Sequence, residues 1–137
     1  MFDRFEKHHL GFIIPRNEKE AIERKFGKKF HYDAIQQTHV LFVFDESLRI
    51  YIEYICQEGR AARQKPGFAH ICYTIKDKDD LKNVEQLITE NNMGYKLTDC
   101  EKSGSKECGF VTFYYIKNIG VVELNLLEDL EPIGRRG

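Results

Sequence analysis

The chain contains two stretches in which residues alternate between the two faces of a β-strand. Each stretch opens with a histidine and leads into a helical pattern. They begin at His9 and His70, which are 61 positions apart. Because successive side chains point to opposite faces of a strand, the second stretch has a histidine face and an apolar face: His70, Cys72 and Thr74 against Ile71, Tyr73 and Ile75. The repetition indicates a duplicated unit, whose apolar faces we expect to meet helices.

The first unit has the pattern of one strand, one helix and three further strands, abbreviated βαβββ. The predicted strands cover residues 8–15, 28–35, 38–45 and 48–56, and the predicted helix covers residues 18–26. Asn17 is a candidate N-cap for this helix, and Gly27 is a candidate for its end.

The second unit repeats this order after a polar, basic connection at residues 58–66. Strands are predicted at residues 68–75, 95–101, 109–117 and 120–127, and a helix at residues 79–92. Gly94 is a candidate for the end of this helix. The sequence therefore predicts an α+β fold in a single domain, residues 1–137, made of units 8–57 and 67–128.

Composition limits the function classes. The chain has 137 residues, of which 42% are hydrophobic, enough for the core of one domain. Its formal net charge is −1, and since binding to nucleic acids or membrane surfaces needs a clustered basic excess, we expect neither partner. No apolar run approaches the roughly 20 residues of a membrane span, and the N-terminus lacks the hydrophobic region of a signal peptide, which predicts a cytoplasmic protein. The four cysteines form no C-x-x-C pair and are interpreted as free thiols, and residues 128–137 are interpreted as a frayed tail.

Each unit places a histidine in its first strand and a glutamate in its last strand. The pairs are His9 with Glu53 and His70 with Glu123. Both glutamates lie within apolar runs, where a carboxylate is costly to desolvate unless it is paired, hydrogen-bonded or bound to a metal. Each residue taken alone is more simply interpreted as a surface residue, but two matching pairs favour a metal site. Two imidazoles and two carboxylates suit Zn, Fe, Ni, Co or Mn, and the sequence leaves that choice open.

Four segments resemble the vicinal oxygen chelate superfamily, which includes glyoxalase I, methylmalonyl-CoA epimerase, extradiol dioxygenases and bleomycin-resistance proteins. The segments are His8-His9-Leu10-Gly11-Phe12-Ile13-Ile14, Ile52-Glu53-Tyr54-Ile55, Phe68-Ala69-His70-Ile71-Cys72-Tyr73 and Gly120-Val121-Val122-Glu123-Leu124. The resemblance implies a glyoxalase-like fold, in which paired βαβββ units form a curved mixed sheet around a cup. It also implies that one divalent metal ion is bound in the cup by His9, Glu53, His70 and Glu123.

Two branches of the superfamily are similar to this sequence. Two histidines and two glutamates resemble the ligand set of glyoxalase I, whereas the chain length, the motif spacing and residues 68–73 look closer to methylmalonyl-CoA epimerase. In both branches a carboxylate moves a proton on the carbon next to a metal-chelated carbonyl. The resemblance therefore implies a metal-dependent isomerase, epimerase or lyase, of the lactoylglutathione lyase or methylmalonyl-CoA epimerase type. Glu123 is the expected catalytic residue, and the expected substrate is a 2-oxo compound, a hemithioacetal or an acyl-CoA.

One position departs from the epimerase pattern. Gln37 lies near the place where epimerases carry a glutamate base, and an amide cannot accept the proton. Glu123 could serve alone, as in glyoxalase-type proton shuttling, which needs a single base. His39 shares the predicted face of Gln37 and is an alternative base, although a histidine satisfied within its strand is the simpler interpretation.

Further polar residues are weaker candidates for substrate contacts. They lie in the basic connection and on the predicted face of Glu53: Arg60, Arg63, Lys65, Arg49 and Tyr51. Guanidinium groups suit a substrate carboxylate or a CoA phosphate, but a charged loop is more often solvated. His8 and His31 are interpreted as surface residues.

Two other functions stay open from the sequence. A metal-free protein that binds and sequesters a small molecule, as bleomycin-resistance proteins do, has no need for the four ligands. An iron oxygenase of the superfamily uses two histidines and one carboxylate, which would make Glu53 superfluous.

The resemblance also implies a homodimer, since exposed sheet edges in such small units invite pairing. Whether the four ligands converge within one chain or across two is open as well.

Overall fold

The computed structural model describes residues 2–127, in which the predicted order of elements occurs twice. The strands are β1 (Glu6–Ile14), β2 (His31–Asp33), β3 (Thr38–Asp45), β4 (Ile50–Cys56), β5 (Gly67–Ile75), β6 (Gly94–Lys96), β7 (Glu101–Lys102), β8 (Phe110–Ile116) and β9 (Gly120–Leu126). The α-helices are α1 (Lys19–Phe26) and α2 (Lys78–Glu90), and 3-10 turns cover Phe2–Arg4, Arg16–Glu18 and Gly59–Ala61. Neither α-helix of this described part is long and apolar enough to span a membrane. The predicted tail, residues 128–137, lies outside the described residues.

The strands form one mixed sheet. Their order is β2-β3-β4-β1-β5-β9-β8-β6, and β7 also pairs with β8. Within each unit the first strand runs parallel to the last, β1 beside β4 and β5 beside β9. The two units join where β1 and β5 pair antiparallel. The predicted α+β fold with paired βαβββ units is therefore confirmed, and the two first strands lie at the centre of the sheet.

Both helices cover the same face of the sheet, which we call the outer face. Helix α2 contributes three buried side chains to the larger outer cluster: Leu81, Val84 and Ile88. They pack with Ile75 of β5, on the strand face opposite to His70. Helix α1 places Ile22 against a smaller cluster that includes Ile14 of β1. The apolar faces of both first strands therefore meet helices, as the alternation predicted.

The other face of the sheet, the inner face, carries a second apolar cluster. Its buried members come from both units: Ile13, Val40, Phe42, Ile55, Ala61, Cys108, Val111 and Phe113. Ile13 lies on the same side of β1 as His9, since residues two or four apart in a strand share a face. The histidines therefore face away from the helices, into an apolar environment that both units build.

The helix ends agree with the sequence only in part. Helix α1 ends at Gly27, whose φ of 63° is a left-handed conformation that glycine adopts without strain. Asn17 does not cap this helix, because it lies inside a 3-10 turn that precedes it. Gly94 does not end α2, since Asn92 takes the left-handed conformation with φ 50°. Gly94 instead opens β6, where a Cβ would lie 1.9 Å from the carbonyl oxygen of Tyr115.

The strands at the sheet edges are shorter than predicted. The strand expected at residues 28–35 is formed only at His31–Asp33, and the one expected at residues 95–101 is split into Gly94–Lys96 and Glu101–Lys102. A strand at the edge has a partner on one side only, so its length depends on that one pairing. The local pattern of apolar residues carries little information about it.

Replacing Ile88 by alanine tests the packing of α2. The Ile88 side chain is 2% exposed, whereas its neighbour Leu87 is 41% exposed. We expect Ile88→Ala to lower the free energy of unfolding by about 2–5 kcal/mol, because it leaves a cavity against the sheet. We expect Leu87→Ala to lower it by less than about 1 kcal/mol. Urea denaturation of both variants measures the difference, and equal losses would contradict this packing.

Candidate metal centre

Four side chains from the two units meet at one point on the inner face. They are His9 on β1, Glu53 on β4, His70 on β5 and Glu123 on β9, and all four are buried. The Nε2 atoms of His9 and His70 are 3.0 Å apart. Glu123 Oε1 lies 3.0 Å from each of these nitrogens, and Glu53 Oε1 lies 3.2 Å from each. The four predicted site residues therefore converge, and they do so within one chain.

The register of the central strands produces this convergence. β1 and β4 pair so that Gly11 lies beside Glu53, and β1 and β5 pair so that Gly11 lies opposite His70. The second unit repeats the arrangement, with Cys72 beside Glu123. Neighbours in register point to the same face of a sheet, so the strand pairings direct all these residues to the inner face.

The ring of His70 occupies the space over Gly11. A Cβ on Gly11 would lie 2.4 Å from His70 Cε1 and 2.7 Å from His70 Nδ1. Such distances are far shorter than a van der Waals contact between heavy atoms. Residue 11 therefore has to lack a side chain for His70 to reach the centre.

The charges at the centre favour the ionised forms of all four groups. Burial opposes protonation of the two imidazoles, but the nearby carboxylates of Glu123 and Glu53 have the larger combined effect. They raise the pKa of His9, and they raise the pKa of His70 to about 10. Burial likewise opposes ionisation of the carboxyl groups, but the two imidazoles lower the pKa of Glu53 and of Glu123. The carboxylates are therefore negative, and the balancing positive charge can come from two imidazolium protons or from a divalent ion that replaces them.

One oxygen at the centre lacks a hydrogen bond. Glu53 Oε1 is buried and has no hydrogen-bond partner among the described residues, although both imidazoles lie within ion-pair distance. A buried polar atom left without a hydrogen bond is costly. A divalent cation with bonds of about 2.0–2.2 Å to nitrogen and oxygen places its ligands roughly 3 Å from one another, close to the separations at this centre. The four residues therefore fit a metal ion in both spacing and chemistry.

The second oxygen of Glu53 is held by a glutamine that the sequence analysis missed. Gln36 Nε2 donates one hydrogen bond to Glu53 Oε2 and one to Asp33 Oδ2, each of 2.9 Å. Asp33 is buried, and its Oδ1 accepts from the backbone N–H groups of Ile35 and Gln36. This is an Asx turn, so Asp33 holds Gln36, and Gln36 in turn holds Glu53. The signal in the sequence was an aspartate three positions before a glutamine at the turn between two predicted strands.

Glu123 has no such support. Among the described residues, its hydrogen bonds and ion pairs are those of Oε1 with His9 and His70. The two carboxylates at the centre are therefore not equivalent. Glu53 has a hydrogen bond at Oε2 and ion pairs at Oε1, whereas the contacts of Glu123 are all at Oε1.

A cavity of about 300 Å³ opens beside His70. Its wall is mainly apolar and comes from both units, including Ile13, Ile55, Ala61, Ala69, Phe113 and Val121. Gln36, Gln64, Thr98 and Arg60 add polar groups to it. An apolar hollow with a few polar groups beside titratable residues is the usual form of a small-molecule site.

The two residues considered at the position of a second base lie away from the centre. Gln37 is exposed in a turn with φ 55°, and its carbonyl oxygen would lie 1.5 Å from a Cβ on Gly59. His39 points to the outer face of β3, opposite to Val40, and its Nδ1 lies 2.5 Å from Glu58 Oε1. The simpler interpretation of His39, a histidine satisfied within its strand, is therefore the correct one.

The weaker candidates for substrate contacts divide between the cavity and the surface. All three basic residues of the connection are exposed, and of these Arg60 lines the cavity, whereas Arg63 and Lys65 do not. Tyr51 packs against the inner apolar cluster. The expectation for Arg49 is wrong, because it lies in an exposed turn with φ 60° rather than in β4.

His8 and His31 are half-buried, which corrects their interpretation as surface residues. His8 Nδ1 lies 2.8 Å from His9 Nδ1, and the His8 ring stacks on Tyr51. Burial, followed by the charge of His9, lowers the pKa of His8. His31 Nε2 lies 2.7 Å from Ser105 Oγ, in the segment between β7 and β8. The contact of His31 joins residues 74 positions apart, and the contact of His8 depends on how two adjacent rings are oriented. The local sequence gave no signal for either contact.

Comparison with known proteins gives a match in structure and none in sequence. No protein-family model and no curated protein matches the chain. A hypothetical protein from Bacillus halodurans C-125 matches with a TM-score of 0.66 and 16% identity, over 95% of this chain and 99% of that chain. Methylmalonyl-CoA epimerase from Mycobacterium tuberculosis matches with a TM-score of 0.62 and 12% identity, over 90% of this chain and 89% of that chain. The chain has the glyoxalase-like fold.

A third solved structure is a variant of methylmalonyl-CoA epimerase from Streptomyces coelicolor in complex with 2-nitronate-propionyl-CoA. It matches with a TM-score of 0.57 and 18% identity, over 89% of this chain and 96% of that chain. Similarity at such low identity establishes the fold alone. The glyoxalase-like fold expected from the sequence is therefore confirmed.

The contact between Gly11 and His70 can be tested by adding one methyl group. We expect Gly11→Ala to lower the free energy of unfolding by about 1–3 kcal/mol, because a buried, paired ring has to move. Gly104→Ala is the matched control, since a Cβ there would lie 3.5 Å from the nearest atom, an ordinary contact. Urea denaturation measures stability, and the NMR shifts of the His70 ring report its displacement. Unchanged His70 shifts in Gly11→Ala would refute the contact.

Proposed function

We propose that the protein is a divalent-metal-dependent isomerase, epimerase or lyase that moves a proton on the carbon next to a carbonyl group. His9, Glu53, His70 and Glu123 would hold one metal ion, with Zn, Ni, Co, Mn and Fe as candidates. The observation that carries the proposal is the convergence of two imidazole nitrogens and two carboxylate oxygens on one buried point. When bound, such an ion polarises a substrate carbonyl, which makes the adjacent C–H more acidic.

Glu123 is the group that we assign to take and return the proton. Both carboxylates border the centre, but Gln36 occupies Oε2 of Glu53 with a hydrogen bond. No described residue donates a hydrogen bond to the other oxygen of Glu123, which leaves it available as an acceptor. Phe113, which lies opposite Glu123 on β8, also lines the cavity, so substrate in the cavity would lie near this carboxylate.

The cavity supports a small reacting group as substrate. Its volume of about 300 Å³ is at the lower end of the range for ligand pockets. It would take a 2-oxo compound or a hemithioacetal carbon, or the acyl end of a CoA thioester with the carrier outside. Arg60 would pair with a carboxylate of the substrate. The acyl-CoA analogue held by the Streptomyces coelicolor epimerase, which has the same fold, is consistent with this substrate class.

Proton shuttling by a single base is better supported than an exchange between two bases. A second base would have to face the cavity, and the side chain that does so beside Glu53 is the amide of Gln36, which cannot accept a proton. His39 lies on the outer face. We therefore place lactoylglutathione lyase-type chemistry first. Methylmalonyl-CoA epimerase-type chemistry is second, on the strength of the similar folds.

A metal-free binding protein of the bleomycin-resistance type is less well supported. A protein that only binds a ligand in an apolar cavity has no need for two imidazoles and two carboxylates beside it, and these groups are costly to bury.

We also propose a homodimer, because β2 and β6 end the sheet and leave edges for a second copy to cover.

The metal site makes a prediction about composition. Protein purified without an affinity tag or added metal should contain close to one equivalent of a divalent metal, measured by elemental analysis. His70→Ala should lose it, because one of the two nitrogen ligands is removed. His39→Ala is the control, since this histidine contacts Glu58 on the outer face and should leave the metal content unchanged. A metal content that is negligible, also after incubation with each candidate metal, would refute the proposal and favour the metal-free binding protein.

The assignment of the base makes a separate prediction about rate. Activity would be measured with methylglyoxal plus glutathione, and proton exchange with methylmalonyl-CoA in deuterated water. We expect Glu123→Gln to retain metal but to lower the turnover rate by about 10²–10⁴-fold, the usual loss for a missing general base. Glu53→Gln should mainly weaken metal binding, and its metal-loaded form should lose much less activity. The reverse order of the two variants would assign the base to Glu53.

A further inference from the structure

The imidazole of His9 has different neighbours at its two nitrogens. Nε2 faces the centre, 3.0 Å from both His70 Nε2 and Glu123 Oε1. Nδ1 lies 2.8 Å from Nδ1 of His8, the preceding residue in β1. A neutral imidazole carries its single proton on one nitrogen and has an acceptor at the other. Whatever accepts a proton at Nδ1 therefore decides whether Nε2 is free to bind an ion.

The ring of His8 is held by contacts on its other sides. It stacks on Tyr51, with ring centroids 5.4 Å apart and planes at 28°, and it meets Phe42 edge-on at 6.4 Å. When Nε2 of His9 is unprotonated and free to bind an ion, the single proton of His9 lies on Nδ1. Nδ1 of His8, 2.8 Å away, is then the acceptor of that proton.

Cys72 is the other candidate acceptor beside His9. One ring nitrogen each of His8 and His9 and the sulfur of Cys72 all lie within 4.8 Å of one another. The Cys72 thiol is fully buried, and its hydrogen bond is a long one of 3.8 Å to the carbonyl of Tyr73. A thiol sulfur is a weak acceptor. His8 Nδ1 is therefore the stronger partner for His9.

We propose that His8 is a positioning residue, whose Nδ1 accepts the Nδ1–H of His9 and thereby turns Nε2 of His9 toward the centre as a ligand. This inference rests on the proposed metal site. Histidines that bind metals usually donate their second N–H to a carboxylate, a backbone carbonyl or water, and this bond sets tautomer and ring orientation. Here a second imidazole, itself stacked on Tyr51, takes that place.

A matched pair of variants tests this role. Asparagine can place its Oδ1 where histidine has Nδ1, whereas leucine has a similar size but no acceptor. We expect His8→Leu to lower the affinity for zinc or cobalt by about 10–100-fold, the usual effect of losing such a partner. His8→Asn should recover most of that loss. Competition with a chelator measures affinity, the visible spectrum of the cobalt form reports ligand geometry, and thermal unfolding of the metal-free variants measures folding.

Equal affinities of His8→Leu and the unmodified protein, or equal losses in both variants, would overturn the role of His8. A second measurement uses the unmodified, zinc-loaded protein and is independent of how the variants fold. Nitrogen-15 NMR should show His9 protonated at Nδ1 and His8 unprotonated at Nδ1, and a proton on His8 Nδ1 would overturn the proposal. If the unmodified protein binds neither zinc nor cobalt, the metal site and the role of His8 are both refuted. If it binds the metal tightly and His8→Leu binds it equally tightly, only the role of His8 is refuted.

Discussion

The antiparallel pairing of β1 with β5 determines the geometry of the rest of the molecule. It joins the two units at their first strands, so that the histidine of each unit comes to the middle of one sheet. The glutamates arrive from the strands that flank this pair, β4 and β9. Each of the four groups would be costly to bury alone. Together, each carboxylate has two imidazoles within about 3.2 Å or less, which offsets part of that cost.

The two units differ in the residues that surround this common centre. Gly11 leaves room for the ring of His70, whereas the equivalent position in the second unit is filled by the side chain of Cys72. Gln36 holds one oxygen of Glu53, and among the described residues Glu123 has no comparable donor. A duplicated unit supplies two similar pairs of one histidine and one glutamate. Differences in their surroundings make one pair more rigid, and we assign the proposed proton transfer to the other, less constrained pair.

Alternation along the chain predicted the central strands well, and the edge strands poorly. In β5 the apolar side chains, such as Ile75, lie under α2, so the local pattern reflects a burial that the tertiary structure also requires. The lengths of β2 and β6 depend on pairing with one neighbouring strand, and local periodicity does not encode that pairing. The same limit explains Gly94, whose need for a small residue comes from the backbone of β8 rather than from the end of a helix.

The sequence by itself determined which residues carry unusual chemistry, because a glutamate inside an apolar strand and a histidine at a repeated position are visible without a fold. It also determined the strand face on which each one lies, since that face follows from the alternation of side chains. Only the tertiary structure decided which residues are neighbours on that face: Glu123 meets His9 across 114 positions, and Gln36 meets Glu53 across 17. A local pattern sets the direction of a side chain, but strand order and register set its neighbours, and these arise only when distant segments pair.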